Sequence, residues 1–169
     1  MENKNTYKNF KEAADSNFAV VKHVFSNRPG ITVKEPNSQY SPYDGVAIYV
    51  VNGVTTVVLV EVKRRQFDYE TLMERFGCEL FLEKSKYDSL MEHSGAMCRA
   101  LPVNVNVLYL NTLSCGRMVI FDLMKIGSPV WTDIAMNART YENRAKKDKR
   151  VAKLHVSKSV LNVVANIPE

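Results

Sequence analysis

Asp44, Glu61 and Lys63 are the residues of this chain best equipped for chemistry, provided that the segment carrying them folds back on itself. It reads Asp44-Gly-Val-Ala-Ile-Tyr-Val-Val, then Asn52-Gly53, then Val54-Thr-Thr-Val-Val-Leu-Val-Glu61-Val-Lys63. Two β-rich runs joined by Asn-Gly predict a hairpin, because both central residues of a type I′ turn need positive φ. With Asn52 and Gly53 as the whole loop, Val51 faces Val54 and Asp44 falls opposite Glu61. Lys63 then points to the same face as Glu61. Directly opposed carboxylates have Cβ atoms roughly 4.5–5.5 Å apart, and like charges there are destabilising. A divalent cation flanked by the lysine would compensate them. The register alone therefore predicts a metal site.

The elements around this hairpin suit a mixed α/β protein. Tyr7, Phe10, Ala14, Phe18, Val21 and Phe25 recur at helical spacing and predict an amphipathic helix, capped by Asn5 or Thr6 and stopped at Arg28-Pro29-Gly30. A short strand is expected over Ile31–Pro36, and a short helix over Tyr69–Phe76. Ser85-Lys-Tyr-Asp88 matches a capping box and predicts a helix from Lys86 to about His93. Val103–Leu110 and Arg117–Asp122 read as strands, and Leu154–Val156 as a late one. The second arm of the hairpin is almost continuously apolar, as in a strand covered on both faces. From Thr132 to Arg150 the chain is polar and basic without clear periodicity. The order predicts a central mixed β-sheet flanked by helices, in a single domain over residues 1–169.

Composition narrows the class of function. The chain has 169 residues, 46% apolar and 24% charged, with a formal net charge of +5. Such a basic balance is compatible with binding a polyanion. No apolar stretch approaches the roughly 20 residues of a membrane helix, and the polar start has no apolar core of a signal peptide, so a cytoplasmic protein is expected. Cys78, Cys98 and Cys115 are too widely spaced for a CxxC site and read as reduced thiols. His23, His93 and His155 share no ligand spacing, which leaves zinc without support. No glycine-rich phosphate loop is present, so ATP use has none either.

An acidic residue, 16 intervening residues, and then Glu-x-Lys resembles the PD-(D/E)XK nuclease superfamily, the restriction-endonuclease-like fold. The residues stand here as Ser41-Pro-Tyr-Asp44-Gly45 and Val60-Glu61-Val62-Lys63, and the resemblance spans roughly Thr6 to Leu110. The sequence departs from the pattern in two ways. Proline stands two residues before the aspartate rather than one, and no third carboxylate is fixed. The resemblance implies a metal-dependent nuclease cutting phosphodiester bonds in DNA, with Mg²⁺ or Mn²⁺ held by Asp44, Glu61 and the backbone carbonyl of Val62. Lys63 would orient or deprotonate the attacking water, or neutralise charge on the phosphate. The small size resembles phage-type or resolvase-like members, some of which act as homodimers on branched DNA.

Further residues are candidates on charge and position. Asp15 and Asn17 flank the apolar stripe of the first helix and are accessory candidates. Arg64 and Arg65 follow Lys63 directly and suit phosphate contact. Lys84 and Lys86 straddle a predicted helix start, where amides and dipole also favour phosphate. Arg139, Arg144, Lys146 and Lys147 belong to the densest basic stretch, six basic residues against two acidic between Arg139 and Arg150. Two other readings stay open. One is a catalytically inactive module of the same fold that binds nucleic acid or a protein. The other is a basic interaction module, in which a bulge shifts the hairpin by one residue and separates Asp44 from Glu61.

Overall fold

The computed structural model describes the backbone of residues 3–38, 41–137 and 146–164, and the side chains of 11–38, 41–135 and 148–163. Arg139 and Arg144 lie outside the described residues, as do the side chains of Lys146 and Lys147.

Helix α1 (Asn3–Phe25) comes first. Phe18, Val21 and Phe25, with Val20, form its buried side, whereas Ala14 is exposed. Strand β1 (Thr32–Lys34) follows, then the hairpin of β2 (Gly45–Val51) and β3 (Val54–Arg64). Asn52 and Gly53 have φ of 51° and 78°, the left-handed conformation that the turn demands. Val51 faces Val54 and Gly45 faces Val60, so the register is the one expected and no bulge intervenes.

Helix α2 (Tyr69–Arg75), strand β4 (Glu79–Glu83) and helix α3 (Lys84–Ala100) then lead into β5 (Asn104–Thr112), which runs parallel to β3. Strands β6 (Arg117–Asp122) and β9 (Leu161–Val164) complete a six-stranded sheet ordered β1-β2-β3-β5-β6-β9. Mixed pairing and flanking helices give the architecture expected from the sequence.

Strand β3 is covered on both faces. Val58, Val60 and Val62 pack with Phe18, Val21 and Phe25 of α1. Val57 and Leu59 pack on the other side with Leu72, Leu80, Leu82 and Leu90. Each such side chain contributes roughly 1.5–3 kcal/mol by leaving water, and this two-sided core fixes where the polar end of β3 emerges.

A second sheet of three strands, ordered β4-β8-β7, is formed with β7 (Trp131–Asn137) and β8 (Lys146–His155). Sequence periodicity missed it. Leu80, Leu82, Val151, Ala152 and Leu154 are buried, but the sequence of β8 is largely polar and it finds β4 only across a long stretch of chain. The expected capping box does not form either. Strand β4 runs straight into α3, so Glu83 is the N-cap, and Asp88 bonds the Lys84 ammonium at 2.6 Å instead. Helix α3 extends to Ala100, beyond the expected end near His93.

Candidate active site

Asp44 stands just before β2 and continues its ladder, the Asp44 N–H donating to the Val60 carbonyl at 2.7 Å. Its carboxylate is held at both oxygens. The Val62 N–H donates to Oδ2 at 2.7 Å, and Asn17 Nδ2 donates to Oδ1 at 3.1 Å. Asn17 reaches this far because α1 lies close on β2. A Cβ at Gly45 would stand 2.8 Å from Val21 Cγ1, too near for any residue but glycine.

Glu61 faces the opposite way from the Val60 and Val62 side chains, as strand alternation requires. Only 5% of it is exposed. Its carboxyl hydrogen-bonds the Asp44 side chain and lies 3.3 Å from Lys86 Nζ. Burial first, and the Asp44 charge second, push the Glu61 carboxyl from 4.5 up to about 8, while Lys86 pulls it back. Two carboxyls in contact, one out of water, form an arrangement that a cation stabilises strongly.

Asp44 and Glu61 offer hard oxygen donors. Among the described residues no group of three or more His, Cys, Asp or Glu is arranged to hold a metal. This donor set fits Mg²⁺ or Mn²⁺, which take one or two carboxylates and fill their shell with water and phosphate, better than a cation needing a full protein cage.

Lys63, two residues on, reaches another acidic group: its Nζ lies 3.9 Å from Glu83 Oε1. Glu83 also accepts from Lys149 Nζ, at 3.0 Å to each oxygen. Neither Glu83 nor Lys149 was singled out from the sequence. The one signal was the alternation Glu-Leu-Phe-Leu-Glu over Glu79–Glu83, which ends on a charge. Lys149 was merely one cation of a basic run.

Arg65 points inward. Its guanidinium donates to Asn111 Oδ1, to the Phe81 carbonyl and to the Tyr109 hydroxyl, at 2.9–3.0 Å. Tyr109 donates to the same carbonyl, and burial pushes its phenol up to about 12. Arg65 is thus committed to bracing β4 against the central sheet, two residues before Glu83.

The other candidates scatter around this centre. Arg64 is exposed and donates to the Ser16 carbonyl at 3.1 Å. Lys84 pairs with Asp88 and lies over the Trp131 ring, 5.7 Å from its centroid. Lys86 bridges Glu61 and the Pro42 carbonyl, the latter at 3.4 Å, and lines a cleft of about 500 Å³ with Ser41, Ser85 and Ser89. Asp15 is exposed on α1.

No protein-family model matches the chain, and no curated protein does. Among solved structures it is similar to Hjc of Archaeoglobus fulgidus, a Holliday junction resolvase from an archaeal hyperthermophile. The two are 15% identical, with a TM-score of 0.44 over 86% of this chain and 84% of the other.

Proposed function

We propose that this protein is a metal-dependent nuclease that hydrolyses phosphodiester bonds in DNA, branched DNA included. The observation that carries this reading is the pair Asp44 and Glu61, hydrogen-bonded to each other with Glu61 buried. Lys63 comes next on the same face of β3, in the pattern by which the sequence resembles PD-(D/E)XK nucleases. Such a pair is costly to a fold unless a cation or a proton compensates it.

In this reading Asp44 and Glu61 hold Mg²⁺ or Mn²⁺ beside the Val62 backbone, and Asn17 orients Asp44. The bound cation supplies Lewis acidity and lowers the pKa of a water. Lys63 orients the attacking water or stabilises negative charge on the phosphate oxygens as the P–O bond breaks. Lys86 and the adjoining cleft receive the strand. Arg64, Lys84, Arg139, Arg144, Lys146 and Lys147 contact phosphates further along it.

The test is cleavage of supercoiled plasmid and of four-way branched DNA with Mg²⁺ or Mn²⁺. Cleavage should need metal and vanish in Glu61→Ala and Lys63→Ala. Intact DNA with folded protein would leave the inactive binding module as the better account. Full activity in Glu61→Ala would place the chemistry elsewhere.

A further inference from the structure

Two features of Glu83 have no part in the reading above. It is the N-cap of α3, with extended backbone (φ −72°, ψ 134°), yet its side chain makes no capping hydrogen bond. A carboxylate there ordinarily bonds a free amide of the first helical turn. Glu83 instead turns toward β3 and β8, taking Lys149 at 3.0 Å and Lys63 at 3.9 Å. All three side chains are between a fifth and a third exposed, so these charges are only partly screened. The backbone carrying Glu83 is anchored close by, where Arg65 and Tyr109 both donate to the Phe81 carbonyl.

We propose that Glu83 is a positioning residue that holds the Lys63 ammonium away from the Asp44–Glu61 pair. The need follows from the geometry of β3. Glu61 and Lys63 are two apart on one face, and a lysine side chain is long and flexible. A flexible ammonium beside a buried carboxylate is drawn to it, as Lys86 is at 3.3 Å. With Lys63 there as well, the pair would be neutralised from within and a cation would have to displace it. Glu83 supplies a competing anion, 3.9 Å from the Lys63 ammonium. Lys149, at 3.0 Å from each Glu83 oxygen, shares that carboxylate with Lys63. The second sheet, which brings both residues, thereby becomes part of the site.

This inference rests on the metal-dependent reading, and the two can fail separately. The experiment is calorimetric titration of the full chain with Ca²⁺, using wild type, Glu83→Gln, Lys63→Met and the double variant. Glu83→Gln should weaken Ca²⁺ binding by roughly tenfold or more, the usual effect of losing a residue that orients a metal site. Removing a positive charge raises affinity in any background. The distinguishing result is therefore the non-additive part: Lys63→Met should gain about tenfold more in the Glu83→Gln background than in wild type. Equal gains in the two backgrounds would overturn the proposal while leaving the metal site intact. No Ca²⁺ binding by wild type would overturn both. Should Glu83→Gln fail to fold, Glu83→Asp serves the same cycle, since the shorter side chain keeps its charge but loses the reach to Lys63. DNA cleavage by Glu83→Gln should fall in kcat with KM unchanged.

Discussion

The Glu61 carboxyl makes the metal-free protein lose stability as pH rises. In the folded chain it titrates at about 8 rather than 4.5; in the unfolded chain it returns to the ordinary value. Between those limits the native state binds more protons than the unfolded state, so unfolding becomes easier with each pH unit. The stabilisation is fully present below pH 4.5 and is lost as pH climbs through about 8. The whole window is worth roughly 5 kcal/mol at ~1.4 kcal/mol per unit, of which about 3–4 kcal/mol falls between pH 5 and pH 8. For a chain of this size that is a fall in Tm on the order of 10 °C. The perturbation is Glu61→Gln, which cannot ionise, and the assay is thermal unfolding in chelator from pH 5 to 8. Subtracting the variant from wild type removes the contribution of titrating groups that do not interact with Glu61 and leaves that of the coupled Asp44–Glu61–Lys86 cluster. The difference should grow with pH until the variant is the more stable protein at pH 8. A divalent cation at a hundred times its Kd should then restore about 2.7 kcal/mol to wild type, and nothing to the variant. Parallel Tm curves for the two proteins would refute the reasoning, because Glu61 would then be ionised in the fold without cost.

Four further perturbations separate the parts of the site. Asn17→Leu removes the donor to Asp44 Oδ1 and should weaken Ca²⁺ binding roughly tenfold with little change in Tm, as titration calorimetry and thermal unfolding would show. Gly45→Ala places a methyl against the stiff Val21 side chain, 2.8 Å from Cγ1. It should cost about 1–3 kcal/mol in denaturant unfolding and weaken the metal site too, since the displaced α1 carries Asn17. Arg65→Met leaves the Phe81 carbonyl and Asn111 Oδ1 without the guanidinium and should cost on the order of 2–4 kcal/mol. Arg64→Ala should barely change stability, yet weaken DNA binding and reduce its salt dependence by about one phosphate contact.

What was legible in the sequence was what local chemistry dictates. Asn52-Gly53 admits one turn, the turn fixes one register, and the register puts Asp44 against Glu61. Periodicity likewise placed Phe18, Val21 and Phe25 on the buried side of α1, though not Val20, and wrongly included Ala14. Helix α3 was placed but mis-capped, because Ser85-x-x-Asp88 fits the capping pattern and nothing local reveals that β4 runs directly into the helix. Strands β4 and β7, and all of β8 but its end at Leu154–His155, were illegible for a deeper reason. Among its described side chains β8 buries Val151, Ala152 and Leu154, and it pairs with a β4 more than sixty residues earlier, so its stability comes from a partner that no local window contains. That omission hid Glu83 and Lys149. The phosphate role expected of Arg65 rested on its place after Lys63, whereas its guanidinium is taken up by Asn111, the Phe81 carbonyl and Tyr109.

The measurement closest to the central claim is anomalous diffraction from crystals of the full chain soaked in Mn²⁺. The account expects one peak between Asp44 and Glu61, within about 2.2 Å of an oxygen from each, with Lys86 displaced from Glu61 and Lys63 still directed at Glu83. Well-ordered crystals with no peak there, and Lys86 still on Glu61, would contradict it.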